Sequence, residues 1–265
     1  MVNERYLLSG VGRALAFLEL FADIGHGLTL TQATERAGID QTAAFRIART
    51  LEHEGYLTRD EHGVYKLGPT VLRLGVAYLD SLDLRSMALP RLGALLVGEI
   101  ETASLATLSG RRAVVIERLE RDPVAAVPGH VGWSFSLHAT SLGKILLAHL
   151  PTETAYEWLS AAPLPRFTAA TLVDPTELLT ELERVRADGC AYNIEESRPR
   201  IATVAAPVYN HLGHVVAALN AGGTAPHVTP QTLRGPIRRA VLEAANALSY
   251  DLGFRESRRE PNALT

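Results

Sequence analysis

Along the first part of the chain, apolar residues recur with the 3.6-residue period of helices that bury one face. Val11, Ala14, Leu15, Leu18, Phe21 and Ala22 predict an amphipathic helix after a short arm over residues 1–10, with Gly25 and Gly27 stopping it. Thr29 is placed to cap a short second helix that turns Leu30, Ala33 and Ala37 inward and ends at Gly38. Asp40 caps a third, from about Gln41 to Glu54, with the stripe Ala44, Ile47, Ala48 and Leu51 and a stop at Gly55. The period then changes. Tyr56-Leu57-Thr58 and Val64-Tyr65-Lys66-Leu67 flank the polar stretch Arg59-Asp60-Glu61-His62-Gly63, which predicts a β-hairpin.

After Gly68-Pro69, Val71, Leu72, Leu74, Gly75 and Tyr78 predict a connecting helix, and another helix is expected from about Ser86 to Glu99. A second hairpin is expected from Ser104–Leu108 and Val114–Leu119 around Ser109-Gly110-Arg111-Arg112. Helices are expected from Thr140 or Ser141 to His149, over Glu153–Leu159, over Glu177–Ala187 and, as one long final helix, from about Pro230 to Leu252. Strand-like runs lie at Cys190–Glu195, Thr203–Tyr209 and His214–Ala221. The organisation is therefore a small helical unit with a hairpin over residues 1–68, a linker helix over 69–85, an α+β unit over 86–254 and a polar tail over 255–265. Val71, Leu72, Leu74, Leu82, Leu92, Leu95 and Leu96 give the linker region enough apolar positions to pack against a partner chain.

The 265 residues suit two domains, and 47% hydrophobic with 21% charged residues is the balance of a globular protein with a real core. A net charge of −3 removes any argument for nucleic acid from overall charge. Cys190 is the only cysteine, so neither an intramolecular disulfide nor a thiolate zinc cage can form. No apolar run approaches a membrane span and the N-terminus lacks the pattern of a secretory signal, so a cytoplasmic protein is expected.

Two helices, a tight turn, a third helix and a hairpin are the layout of a winged helix-turn-helix, whose third helix enters the DNA major groove. Here that helix offers Gln41, Thr42, Ala43, Phe45, Arg46 and Arg49. Gln pairs with adenine, Arg with guanine or phosphate, and Ala or Thr can meet a thymine methyl. Arg59 and Lys66 on the hairpin could reach phosphate. Seven basic residues against nine acidic ones give residues 1–68 a balance of −2, so the same arginines also fit simple solvated positions. Arg46 and Arg49, one turn apart, would cluster on one face.

The stretch Gly38-Ile39-Asp40-Gln41-Thr42-Ala43-Ala44-Phe45-Arg46-Ile47-Ala48-Arg49-Thr50-Leu51-Glu52-His53-Glu54-Gly55-Tyr56-Leu57 resembles the helix-turn-helix and wing of IclR-type transcriptional regulators, as does Tyr65-Lys66-Leu67-Gly68. His138-Ala139-Thr140-Ser141-Leu142-Gly143-Lys144-Ile145-Leu146-Leu147-Ala148 resembles a second segment of that family. Thr171-Leu172, Gly189, Tyr192, Glu195-Glu196, Ile201 to Val208 and Val216 to Asn220 follow in its order and spacing, so the likeness covers about residues 11–253. The resemblance implies a mixed fold: an N-terminal winged helix-turn-helix joined by a linker helix to a C-terminal α+β GAF-like effector-binding domain. It also implies a regulator binding double-stranded operator DNA as a homodimer or a dimer of dimers, modulated by a small-molecule effector, often a carboxylate. By the same resemblance, Ser141, Leu142, Asn193, Thr203, Asn220 and Gly222 line the effector pocket. Where the family usually has Gly after the Glu-Glu segment, this chain has Arg200 within Ser197-Arg198-Pro199-Arg200. The wording around Asn220 is most similar to members that control aromatic-acid catabolism.

A helix starting near Thr140 would offer N–H groups and a positive dipole end to a carboxylate. The hydroxyls of Thr140 and Ser141 fit ligand donors and ordinary helix caps alike. Arg198 and Arg200 fit bidentate carboxylate binding, a solvated loop or a dimer contact.

No G-x-S-x-G elbow, phosphate loop or dinucleotide fingerprint is present, so no cofactor is expected. His211-Leu212-Gly213-His214 fits a polar turn better than a metal site. An enzyme built on the second unit, with the first as an interaction module, is the alternative and predicts turnover.

Overall fold

The computed structural model describes residues 8–22, 24, 26–81, 83–122, 129–225 and 227–255. The arm before Leu8, the stop at Gly25, the packing of Leu82 and the tail beyond Arg255 lie outside them. The chain forms two compact units, residues 1–81 and 82–265.

In the first unit, α1 (Ser9–Glu19), α2 (Leu30–Ala37) and α3 (Gln41–His53) pack around Phe17, Phe21, Leu28, Ala33, Ala44, Ala48, Leu57 and Tyr65. Local chemistry fixes the turn between α2 and α3. Thr29 and Gln32 form a reciprocal capping box, Gly38 takes the left-handed φ of +63°, and the Asp40 carboxylate accepts the Ala43 N–H at 2.8 Å. Small Ala33, Ala44 and Ala48, all fully buried, let the helices approach closely. The wing is β2 (Leu57–Arg59) and β3 (Val64–Leu67), and a two-residue strand β1 (Leu28–Thr29) pairs with the far side of β3. β1 is too short to leave a periodic signal. In α1 the buried residue is Phe17, with Phe21 buried just beyond its end, while Leu15 is exposed.

The connector is helical from Pro69 to Asp80 (α4), and a separate helix α5 (Asp83–Leu95) belongs to the second unit. Leu72 and Leu74 are exposed on α4, but Leu92 and Leu95 are buried in their own unit's core. Of the apolar positions expected to pack against a partner chain, Leu92 and Leu95 are thus taken up inside their own unit.

The second unit is built on a six-stranded antiparallel sheet of order β6-β5-β4-β9-β8-β7: β4 (Thr102–Ser109), β5 (Arg112–Glu120), β6 (Ser134–Ser136), β7 (Ala191–Ile194), β8 (Ile201–Tyr209) and β9 (Val215–Thr224). The helices α6 (Ser141–Ala148), α7 (Thr152–Ser160) and α8 (Pro175–Asp188) share a core with Ala106, Ala113, Ala191, Ala205 and Ala218 of the sheet. The row of alanines is what lets α6 lie close to the strands. The expected long final helix is interrupted. A turn α9 (Pro230–Thr232) and a π-helical segment Leu233–Ile237 precede α10 (Arg238–Asp251). Pro236 has no N–H for the α-helical ladder, which accounts for the wider turn there.

Candidate functional site

On α3 of the first unit, Gln41, Thr42, Phe45, Arg46 and Arg49 are exposed and Ala43 is half-buried, opposite the buried Ala44 and Ala48. The N-terminal turn of α3 thus presents the polar and small side chains named from the sequence. Arg49 is engaged on its own helix with Glu52 at 2.9 Å. On the wing, Arg59 lies over the Tyr65 ring at 5.6 Å from its centroid and Lys66 is exposed. Asp60 accepts the Val64 and His62 N–H groups at 2.9 and 3.0 Å, and these bonds hold its carboxyl below the usual range. That geometry closes the hairpin tip at Gly63, whose φ is +76°.

In the second unit, strand register brings polar residues into two rows on the face that α6 covers. Thr102 of β4 pairs with Glu120 of β5 and with Gly222 of β9; Gly222 pairs with Thr203 of β8, and Thr203 with Asn193 of β7. One step along, Arg118, Ser104, Asn220 and Ala205 stand opposite one another. The same face is alanine-rich under the body of α6 and polar beyond its N-terminus. There it floors a cavity of about 250 Å3. Trp133, Phe135 and Phe167 supply aromatic walls, and Arg112, Arg118 and Arg198 supply charge. Among the described residues, no Asp or Glu lines it, although Glu120 pairs with Arg118 at 2.6 Å.

Seven of the nine residues expected in the pocket line this cavity: Thr140, Ser141, Leu142, Asn193, Arg198, Thr203 and Asn220. Arg200 and Gly222 do not. The Arg200 guanidinium donates to the Ala225 carbonyl at 2.8 and 3.2 Å, and its backbone sits at φ +63°, the conformation a glycine would adopt without strain. Gly222 is needed for a close approach instead, since a Cβ there would stand 2.1 Å from the Ala202 carbonyl oxygen.

The hydroxyls divide their duties. Thr140 caps α6, accepting the Gly143 N–H at 3.0 Å and donating to the Ser136 carbonyl at 3.0 Å, so its side chain is committed to the fold. Ser141 and Thr203 share a hydrogen bond of 2.7 Å between α6 and β8. The Asn193 carboxamide oxygen accepts the Glu196 and Ser197 N–H groups at 2.9 and 3.2 Å, and its amide donates to Ser197 Oγ at 2.7 Å. What α6 leaves toward the cavity is its first-turn N–H groups at Ser141 and Leu142, which have no acceptor within the helix. Behind Phe167, the His138 ring stacks at 5.8 Å and its Nε2 lies 3.0 Å from the Pro165 carbonyl oxygen. Burial lowers the His138 pKa, which keeps the ring neutral and makes Nε2 a donor to that carbonyl.

Sequence reasoning missed Thr102, Ser104, Arg112, Arg118, Trp133, Ser134, Phe135, Ser136, Phe167, Ser197 and Ile201. The period-2 placement of Thr102 and Ser104 between buried Ala103 and Leu105 was the available signal for a polar patch on an otherwise apolar sheet. Among the described residues, no group of three or more His, Cys, Asp or Glu is arranged to hold a metal, and no helix is long and apolar enough to cross a membrane.

Residues 10–61 match the IclR helix-turn-helix domain, and residues 76–250 match the family described as "Bacterial transcriptional regulator IclR C-terminal". The chain is 32% identical over 252 residues to the Pca operon regulatory protein of Acinetobacter baylyi, covering 94% of this chain and 90% of that protein. It is 34% identical over 251 residues to the p-hydroxybenzoate hydroxylase transcriptional activator of the same organism, covering 93% and 92%. An IclR homolog from Microbacterium hydrocarbonoxydans, solved in complex with 4-hydroxybenzoate, superposes with a TM-score of 0.73 at 27% identity over 92% of this chain and 98% of that one. The IclR transcriptional regulator from Alicyclobacillus acidocaldarius gives a TM-score of 0.78 at 27% identity, covering 94% and 100%. The winged helix-turn-helix, the sheet-floored second unit and these matches across nearly the whole length agree: the chain belongs to the IclR family of bacterial transcriptional regulators.

Proposed function

We propose that the chain works in the cytoplasm on double-stranded operator DNA, as a homodimer or a dimer of dimers, and that its effector is a small aromatic carboxylate bound without turnover in the cavity of the second unit. In this reading Gln41, Thr42, Ala43, Phe45 and Arg46 meet base edges, and Arg49, Arg59 and Lys66 meet phosphates. A two-fold protein needs two half-sites, so the operator is pseudo-palindromic.

The observation that carries the effector assignment is the make-up of the cavity. Flat aromatic walls, first-turn N–H groups at the start of α6 and the arginines Arg112 and Arg198 suit a ring bearing a carboxylate, while Arg118 is held by Glu120 at 2.6 Å. Cavities of about 150 Å3 already accommodate benzene, so the volume suits one substituted ring. The names of the Acinetobacter relatives and the 4-hydroxybenzoate bound to the Microbacterium homolog support the same class. Ser141, Leu142, Asn193, Arg198, Thr203 and Asn220 are its contacts in this proposal, and the population with the DNA-reading units in register shifts when the site fills.

Trp133 lines the cavity, so ligand entry is read in tryptophan fluorescence. Titration with benzoate, 4-hydroxybenzoate and 3,4-dihydroxybenzoate, each beside its neutral amide, is expected to give saturable binding by at least one acid and weak binding by the amides. Binding that ignores the carboxylate, or conversion of the acid to a product, refutes the proposal.

A further inference from the structure

Lys144 lies on α6 directly after the residues that face the cavity, yet it points away from it and is 1% exposed. Its Nζ stands 2.7 Å from Glu196 Oε1, 3.0 Å from the Tyr192 carbonyl oxygen and 3.6 Å from Glu181 Oε1 on α8. Glu196 is itself 8% exposed and belongs to the turn between β7 and β8. The turn is bracketed by two non-glycine residues in the left-handed region, Glu195 at φ +60° and Arg200 at φ +63°. Such residues persist only where surrounding contacts over-determine them. Between them, Ser197 and Arg198 line the cavity.

We propose that Lys144 and Glu196 are positioning residues for the effector site: their buried ion pair clamps the 195–200 turn to α6, and the clamp presents Ser197 and Arg198 to a ligand carboxylate. The assignment rests on the effector function proposed for the cavity. Other ties surround the clamp, and the Thr168 hydroxyl donates to the Glu195 carbonyl at 2.7 Å. The Thr171 hydroxyl donates to the Glu196 carbonyl at 2.7 Å, Asn193 accepts the Glu196 and Ser197 N–H groups, and Arg200 is pinned to Ala225. Each of these fixes backbone at one point of the turn. Among the described residues, the ion pair alone ties the turn through a side chain to the helix that carries Ser141 and Leu142, so it sets the two sides of the site against each other.

The charged neighbours are few. Glu181 of α8 faces Lys144 and is itself 3.8 Å from Arg184, and the neutral His138 lies near the ammonium. Burial pushes the Glu196 carboxyl up, and Lys144 draws it down. The pair is therefore an expensive way to fill the space, since apolar groups of the same volume often serve stability as well. A role in geometry explains its place better than a role in stability.

The test separates the two roles with the double variant Lys144→Met with Glu196→Gln in the full chain, beside Glu196→Gln alone. Removing both charges together avoids stranding one of them. The double variant is expected to unfold thermally as the wild type does. Its Glu195, Glu196 and Ser197 amides are expected to exchange faster with deuterium, while those of α8 stay unchanged. Its affinity for 4-hydroxybenzoate is expected to fall about tenfold or more, the worth of one charged hydrogen bond, with binding of 4-hydroxybenzamide unchanged. Glu196→Gln alone is expected to speed the same amides. Unchanged exchange at 195–197 in both variants overturns the proposal, whatever the affinities do. If wild-type protein binds none of the acids, the effector assignment fails, and the exchange result still decides the clamp.

Discussion

Gly143 and Gly12 are both helical, and replacing each by alanine is expected to shift stability in opposite directions. At Gly143 an added Cβ would stand 2.5 Å from the Cα and carbonyl oxygen of Leu137 and 2.7 Å from the Ser136 carbonyl oxygen. These are backbone atoms, so α6 must move rather than a side chain swing aside. Alanine gains about 1 kcal/mol of helix propensity, and overpacking costs about 1–3 kcal/mol. A shift of α6 by about an ångström also breaks the 2.7 Å Ser141–Thr203 bond. That strands two buried hydroxyls at about 1–3 kcal/mol. The net expectation for Gly143→Ala is a loss of about 1–5 kcal/mol. At Gly12 nothing lies within 4 Å of the added Cβ, so Gly12→Ala is expected to gain about 0.5–1 kcal/mol. Both tryptophans, Trp133 and Trp158, lie in the second unit. Urea unfolding followed by tryptophan fluorescence therefore reports on Gly143→Ala alone, and far-UV circular dichroism follows the first unit for Gly12→Ala. A Gly143→Ala protein as stable as the wild type would refute the claim that α6 is held by close backbone contact at this point.

Arg46→Ala is expected to weaken binding to specific DNA by about 1–3 kcal/mol and random-sequence DNA less; equal losses on both would make Arg46 a phosphate contact. Glu195→Gly relieves a left-handed φ of +60° and is expected to raise second-unit stability by up to about 1 kcal/mol in urea unfolding; destabilisation would contradict the strain. Burial holds His138 and His149 below their ordinary pKa of 6.5, so the unfolded chain binds more protons as pH falls below that value. Stability is therefore expected to drop on acidification from about pH 7 through the lowered folded values, and His149→Gln is expected to flatten the slope. A slope that His149→Gln leaves unchanged would contradict this sign; Glu196, raised by burial, acts in the opposite sense.

The DNA-reading half was legible because its signals are local. Gly38, Asp40 and Gly55 punctuate α3 within the span of a few residues, and the stripe Ala44, Ile47, Ala48 and Leu51 fixes its inward face. From the residues alone the cavity was legible at Thr140, Ser141 and Arg198, and the family resemblance added Leu142, Asn193, Thr203 and Asn220. Its floor takes one or two residues from each of several strands, and only register sets Arg118, Ser104 and Asn220 side by side. The order β5-β4-β9-β8 is not the chain order, so spacing along the sequence carries no trace of that row. Arg200 illustrates a different limit. Its departure from the family's glycine was visible, but whether the guanidinium turned to the pocket or to Ala225 depended on a backbone 25 residues away.

The most direct test of the account is binding of the full chain to the DNA beside its own gene, at two salt concentrations, with and without the aromatic acid that binds most tightly. Saturable binding is expected that survives excess random DNA, weakens with salt and shifts in affinity when the acid is added. Specific binding that no aromatic acid alters would contradict the effector half of it. Binding no tighter than to random DNA, with Arg46 intact, would contradict the assignment of that DNA as the operator.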